Sequence, residues 1–239
     1  MSSKKGKIIV IEGSDGTGKE TQAKLLTENL QRMGYTVGGL SFPRYTSETV
    51  GGRLLQHVIK SDQADEYNFS TITPYSASLL YVMDRVESTP LILEQLEQYD
   101  FLVMDRYYTA NLLHQGAKFD TDTERNKFLD TIYTVECKQL GVPNADIIFY
   151  LTLPFEVTLA RMEKRRAETG EAINQTERDH TYIKQSIERG LHIAKHLGWN
   201  IIEGVEFSSD GKTVTKEHSK EERQEQLLNI LRTKSFIKN

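Results

Sequence analysis

The sequence predicts an α/β fold: a five-stranded parallel sheet flanked by helices, with all 239 residues in a single domain. Three observations carry that prediction. Short apolar runs of the kind buried in parallel sheets alternate with longer stretches of helical periodicity. A glycine-rich heptapeptide, Gly13-Ser14-Asp15-Gly16-Thr17-Gly18-Lys19, lies at the turn from the first apolar run into the first helical stretch. No internal repeat, low-complexity tract or linker divides the chain. An open sheet wound in this way gathers ligands at the carboxyl ends of its strands.

Ile8 to Ile11 form the first strand. The heptapeptide after it fits the phosphate-loop pattern of Gly, four residues, Gly-Lys. Its glycines let backbone N–H groups close around a phosphate chain, and the helix N-terminus adds partial positive charge. Lys19 sets a full charge against the outer phosphates. A glycine-rich turn alone would explain the glycines; the strand and helix flanks decide for the phosphate loop. Glu20 stands where a Ser or Thr commonly holds magnesium.

Ala23, Leu26, Leu30 and Met33 then share a helical face, and Gly34 supplies the stop. Residues 36–40 read as the second strand, weakened by two glycines, and about 48–59 as a helix. Another helix starts near Pro74 and carries Ala77, Leu80, Tyr81 and Asp84, until Pro90 kinks or interrupts it. Residues 101–104 are the third strand, ending at Asp105-Arg106, with helices following around 109–116 and 122–140. Residues 146–151 are the fourth strand and 200–202 a short fifth. Between them 155–166 and 178–197 are helical, the second turning Ile183, Ile187, Leu191 and Ala194 inward. One closing helix, about 221–231, completes the chain.

Composition narrows the function. A net charge of −4 supplies no field for nucleic acid or an anionic membrane, so neither is expected as a partner. The single Cys137 excludes an intramolecular disulfide framework and points to a reducing compartment. No apolar run reaches about 18 residues, the length that would span a bilayer. The residues before the first strand leave no room for a signal sequence, so the cytoplasm is the expected location.

Charged residues collect just past the strands: Asp15 and Lys19 after the first, Arg44 in Ser41-Phe42-Pro43-Arg44-Tyr45 after the second, Asp105-Arg106 after the third. Arginine forks match phosphate oxygens, and acids hold magnesium or its waters. Any one of these arginines alone would be read as a surface salt bridge. Their convergence at strand ends reverses that reading.

Taken together, Glu12-Gly13-Ser14-Asp15-Gly16-Thr17-Gly18-Lys19 with Thr21-Gln22, Phe42-Pro43-Arg44-Tyr45, Asp84-Arg85, Asp105-Arg106-Tyr107 and Pro143-Asn144-Ala145-Asp146 resemble the thymidylate kinase family over roughly residues 7 to 205. The resemblance implies ATP-dependent phosphorylation of dTMP to dTDP with Mg2+, in a homodimer. It also implies the nucleoside monophosphate kinase form of the P-loop fold, with a mobile lid at about 161–178. By the same resemblance Gly13, Ser14, Asp15, Gly16, Thr17, Gly18, Lys19, Glu20 and Thr21 take ATP, and Asp15 faces the acceptor phosphate and its magnesium shell. Arg106, Arg44 and Tyr45, with Phe42 in the same segment, take the dTMP phosphate. Asp105 orients Arg106 or a magnesium-bound water. Arg85 reaches the thymine edge, and Tyr81 stacks on the base where Phe is usual. Asn111, His114 and Gln115 complete the acceptor set. His114 stands eight residues beyond Arg106, where the family commonly places an aromatic that crowds the sugar.

One subgroup of the resembled family carries an arginine in the phosphate loop; this loop has none, so the resemblance implies that Arg161 and Arg165 of the lid stabilise the transferring phosphoryl group. Positions 161, 164 and 165 share one helical face. Two other readings remain: another nucleotide or nucleoside kinase, and a non-catalytic nucleotide-binding protein, which only Glu20 favours. Magnesium needs only one or two protein carboxylates when it rests on phosphates, and an acid on a first helical turn is compatible with the dipole. Glu20→Gln or Glu20→Ser is therefore expected to change turnover by less than about tenfold, under about 1.4 kcal/mol of barrier. Asp15→Asn should cost far more in the same steady-state assay. Loss of magnesium-dependent turnover in Glu20→Gln alone would reverse the assignment.

Overall fold

The computed structural model describes residues 6–45, 49–60, 72–169 and 180–238. In chain order these form β1 (Lys7–Gly13), α1 (Lys19–Arg32), β2 (Val37–Ser41), α2 (Val50–Lys60), α3 (Pro74–Gln98), β3 (Phe101–Asp105), α4 (Tyr108–Gly116) and α5 (Asp122–Tyr133). A π-helical turn, Thr134–Gln139, continues α5. Then come β4 (Ile147–Thr152), α6 (Phe155–Thr169), α7 (His180–His196), β5 (Asn200–Glu203), β6 (Val205–Phe207), β7 (Val214–Glu217) and α8 (Lys220–Thr233). The sheet order is β2-β3-β1-β4-β5, and β6 and β7 form a separate antiparallel pair. The chain divides into two compact units, one of Met1–Val10 with Gly34–Ile147 and one of Ile11–Met33 with Ile148–Asn239.

In the first unit β2 runs parallel to β3, with Gly39 opposite Val103 and Ser41 opposite Asp105. A Cβ on Gly39 would lie 2.5 Å from the Val103 carbonyl oxygen, so the glycines that weaken this strand by propensity are what let the two backbones approach. Ile8, Ile9 and Val10 of β1 and Leu102 and Met104 of β3 are buried, and Asp146 accepts from the Ile8 N–H at 2.8 Å. Thr73 caps α3 and Pro74 opens it. The helix continues through Pro90 to Gln98, so the expected interruption does not occur there. Pro90 itself lies on the exposed side, while Ile92 and Leu96 beyond it are buried. Burial carries the helix past the missing N–H.

In the second unit β4 runs parallel to β5, from Phe149 opposite Asn200 to Thr152 opposite Glu203. Ala23, Leu26 and Leu30 of α1 are buried as their spacing predicts, but α1 ends at Arg32 and Met33 is 42% exposed. On α7 the inward residues are Ile183, Ile187, Ile193 and Ala194, with Leu191 only half-buried. The β6–β7 hairpin was not foreseen. Its strands are three and four residues long and almost wholly exposed, so they leave no alternating apolar pattern to read. α8 opens with a capping box formed by Ser219 and Glu222.

Cys137 is buried in the π-helical turn, and burial pushes its thiol up to about 12, with Glu136 adding to the rise and Arg85 opposing it. The thiolate is the reactive form. At pH 8 the native protein should therefore react with iodoacetamide more than about tenfold slower than the denatured chain. Equal rates would show that this turn opens readily.

Candidate active site

The phosphate loop lies in the second unit. Gly13, Gly16 and Gly18 have φ of 149°, 80° and 88°, the left-handed region that glycine tolerates. A Cβ on Gly13 would also sit 2.4 Å from the Leu151 carbonyl oxygen. The Ser14 carbonyl accepts from Lys19 Nζ at 2.9 Å and from Thr17 Oγ1 at 2.7 Å, which closes the loop on itself. Lys19 is buried, with Nζ 3.5 Å from the half-exposed Asp15 carboxylate. Gly18 is the N-cap of α1, and no side chain among the described residues caps that end. The first-turn N–H groups and the positive end of the dipole are thus left for an anion. Glu20 and Thr21 are both exposed on this turn, so Glu20 points away from the core that holds Lys19.

The lid expectation falls partly on residues 170–179, which lie outside the described residues. Of its described arginines, Arg161 is ion-paired with Glu217 of β7, and Arg165 is exposed. The second unit also contains a cation that sequence reasoning passed over. Arg223 of α8 is buried and donates from Nη1 to the Thr17 carbonyl at 2.7 Å.

The acceptor candidates lie in the first unit, and the β2–β3 register brings the Phe42–Tyr45 segment beside Asp105-Arg106. The Phe42 N–H donates to the Asp105 carbonyl at 3.3 Å, and the Phe42–Pro43 bond is cis. Arg44 is held from α3: its N–H donates to Asp84 Oδ2 at 2.8 Å and its Nη1 to Ser88 Oγ at 2.9 Å. Asp84 also accepts from Thr49 Oγ1 at 2.8 Å. Tyr45 is half-buried. Arg106 has φ of 63°, uncommon for a residue with a side chain, and its Nη1 meets His114 Nε2 at 2.7 Å. Non-glycine residues in this region concentrate at functional sites.

Ser78, half-buried Tyr81 and buried Arg85 follow one another on one face of α3. Asn111 of α4 donates to the Ser78 carbonyl at 3.3 Å. Asn111 Oδ1 and Gln115 Oε1 are buried without a protein partner among the described residues. Arg85, 2% exposed, is gripped by Glu136 through its Nε and, at 3.1 Å, its Nη2. Burial would lower the guanidinium pKa, but Glu136 more than offsets it and the net direction is up. Burial also raises the Tyr107 hydroxyl, which donates to the Pro143 carbonyl at 2.9 Å.

Glu136 and Arg223 are the residues that sequence reasoning missed. Both left a signal. Each is a charge on the buried stripe of an amphipathic helix: Glu136 follows Phe128, Leu129 and Ile132, and Arg223 precedes Leu227, Leu228 and Leu231.

The family model for thymidylate kinase matches residues 11–204, so β6, β7 and α8 lie beyond the matched region. Human thymidylate kinase is 34% identical over 155 residues, which span 64% of this chain and 64% of that protein. A probable thymidylate kinase of Thermococcus kodakarensis is 31% identical over 163 residues, 67% of this chain and 73% of the relative. Among solved structures, thymidylate kinase from Candida albicans has a TM-score of 0.65 at 23% identity, covering 97% of this chain and 93% of that one. That last likeness is one of fold.

The Arg85–Glu136 pair makes its own prediction. Removing one partner of a buried pair strands a charge. Glu136→Ala should therefore lower stability by about 3–5 kcal/mol in urea unfolding. Adding Arg85→Met should recover part of it. A double variant no more stable than Glu136→Ala would show that the two side chains are not coupled.

Proposed function

The chain belongs to the thymidylate kinase family, and from that premise we propose how its own residues carry out the family's reaction, ATP-dependent phosphorylation of dTMP to dTDP. The observation that carries the reading is the phosphate loop, with its buried Lys19 and an uncapped helix start, in a chain matched to the family over residues 11–204.

The backbone from Gly13 to Thr21 and Lys19 hold the ATP phosphates. Among the described residues no cluster of three His, Cys, Asp or Glu forms a metal cage. That suits Mg2+, which binds one or two carboxylates together with substrate phosphates. Asp15 is the carboxylate on the loop that would hold the ion, which would neutralise charge at the phosphate oxygens.

Arg106 and Arg44, with Tyr45, take the dTMP phosphate. His114 keeps Arg106 in place through its 2.7 Å contact, and Asp84 and Ser88 do the same for Arg44. Asp105 orients Arg106 from the neighbouring position. Tyr81 stacks on thymine and Arg85 reaches the base edge from its Glu136 clamp. Asn111 and Gln115 bring buried side-chain oxygens that have no protein partner among the described residues. A phosphate oxygen of dTMP attacks the γ-phosphorus in line, the bond to the β,γ-bridging oxygen breaks, and ADP leaves. Lys19, Arg106 and the lid arginines Arg161 and Arg165 offset charge on the transferring group.

The enzyme works as a homodimer. Leu79 and Leu93 lie about 40° apart around α3 and are 56% and 50% exposed, with Val50 of α2 exposed as well. It acts in a reducing cytoplasm, where the free Cys137 thiol persists.

With ATP and magnesium the protein should convert dTMP to dTDP in preference to AMP, GMP and CMP, followed by ADP release. Equal rates on all four would refute the base assignments of Tyr81 and Arg85. Arg106→Ala should lower kcat/KM by more than about tenfold, since a charge-assisted bond to phosphate is worth about 1.5–3 kcal/mol. A smaller loss would place the phosphate elsewhere.

A further inference from the structure

Arg223 belongs to α8, beyond the stretch that matches the family. It is 5% exposed, and its guanidinium lies against Gly18: Nη1 and Nη2 would stand 3.5 Å and 3.7 Å from a Cβ built there. Nη1 donates to the Thr17 carbonyl at 2.7 Å, while Nε has no partner among the described residues. Burying a guanidinium is costly, and an apolar side chain would fill the same space without that penalty. The placement is also well supported. The capping box fixes the start of α8, Gln22 of α1 donates to the Lys220 carbonyl at 2.9 Å, and Leu227 and Leu231 are fully buried.

Thr17 C=O and Gly18 N–H belong to one peptide plane, and in a trans peptide they point in opposite directions. A cation on the carbonyl oxygen therefore fixes where the Gly18 N–H points, away from α8. It also draws electron density toward the oxygen and makes that N–H a stronger donor. Gly18 is the N-cap of α1, at the uncapped end where the phosphate chain is held. We propose that Arg223 is a positioning residue of the phosphate loop, aiming and polarising the Gly18 N–H toward the phosphates of ATP through the Thr17 carbonyl. The charge is present under working conditions. Burial, and next Arg161, bring the Arg223 pKa down to about 10 while Glu217 opposes the fall, so the guanidinium stays protonated at neutral pH. Arg223 does not touch the reacting atoms.

The inference rests on the reading that this loop takes ATP. Its test uses the full chain and compares Arg223→Met with wild type for both KM values, kcat, ATP affinity by calorimetry and apo melting temperature. Loss of a charged donor from the loop should raise KM and Kd for ATP about tenfold, while KM for dTMP stays within about twofold. An ATP KM within about twofold of wild type overturns the proposal, and so does an equal rise in both KM values, which a merely structural role would give. Should Arg223→Met fail to fold, Arg223→Gln removes the charge while keeping a polar side chain, one that ends short of the Thr17 carbonyl. It must raise the ATP KM at least about threefold; no change overturns the proposal. A wild-type protein that does not bind ATP would instead refute the loop reading, so the two failures are distinct.

Discussion

The Ser14 carbonyl accepts from both Lys19 Nζ and Thr17 Oγ1, and so draws the loop around an α1 N-terminus whose N-cap, Gly18, has no side chain to cap it. The rest of the donor half follows from this arrangement. Three glycines at positive φ are needed to turn the chain there, and Gly13 must also pass close to the Leu151 carbonyl. The uncapped first turn would cost stability in an ordinary helix. Here the phosphates of ATP are the proposed partners of those N–H groups. The apolar side of α1, through Ala23, Leu26 and Leu30, secures the helix despite its missing cap.

The acceptor half shows a different economy of support. Each cation assigned to dTMP is held by another side chain: Arg44 through Asp84 and Ser88, Arg85 by Glu136, Arg106 by His114. A guanidinium on a long stem loses rotamer freedom on binding, and fixing it beforehand reduces that cost. Glu136 reaches Arg85 from a π-helical turn, a local widening often found at functional sites. His114 was placed by resemblance beside the sugar, and its 2.7 Å contact with Arg106 ties it to the proposed phosphate site as well.

Much of this was legible in the sequence because strong local signals were involved. The apolar run of β1, the glycine pattern of the loop and the start of α3 near Pro74 each have a short-range physical cause. Elements that depend on tertiary burial were harder to read. Pro90 spoke for a break that Ile92 and Leu96 overruled, and the π-turn at 134–139 read as plain α-helix. Among site residues, those at strand ends announced themselves by position. Glu136 and Arg223 act from distant sequence on partners 51 and 206 residues away, and no local pattern states such a pairing. Only the oddity of a charge on a buried stripe pointed to them.

The proposed reading divides the labour, ATP to the phosphate loop and dTMP to the arginine set around Asp105-Arg106. Calorimetry on Lys19→Met with each nucleotide separates the two. ATP affinity should fall by more than about tenfold, from loss of a charged donor, while dTMP affinity should stay within about twofold of wild type. A comparable fall for dTMP, or an unchanged affinity for ATP, would contradict it.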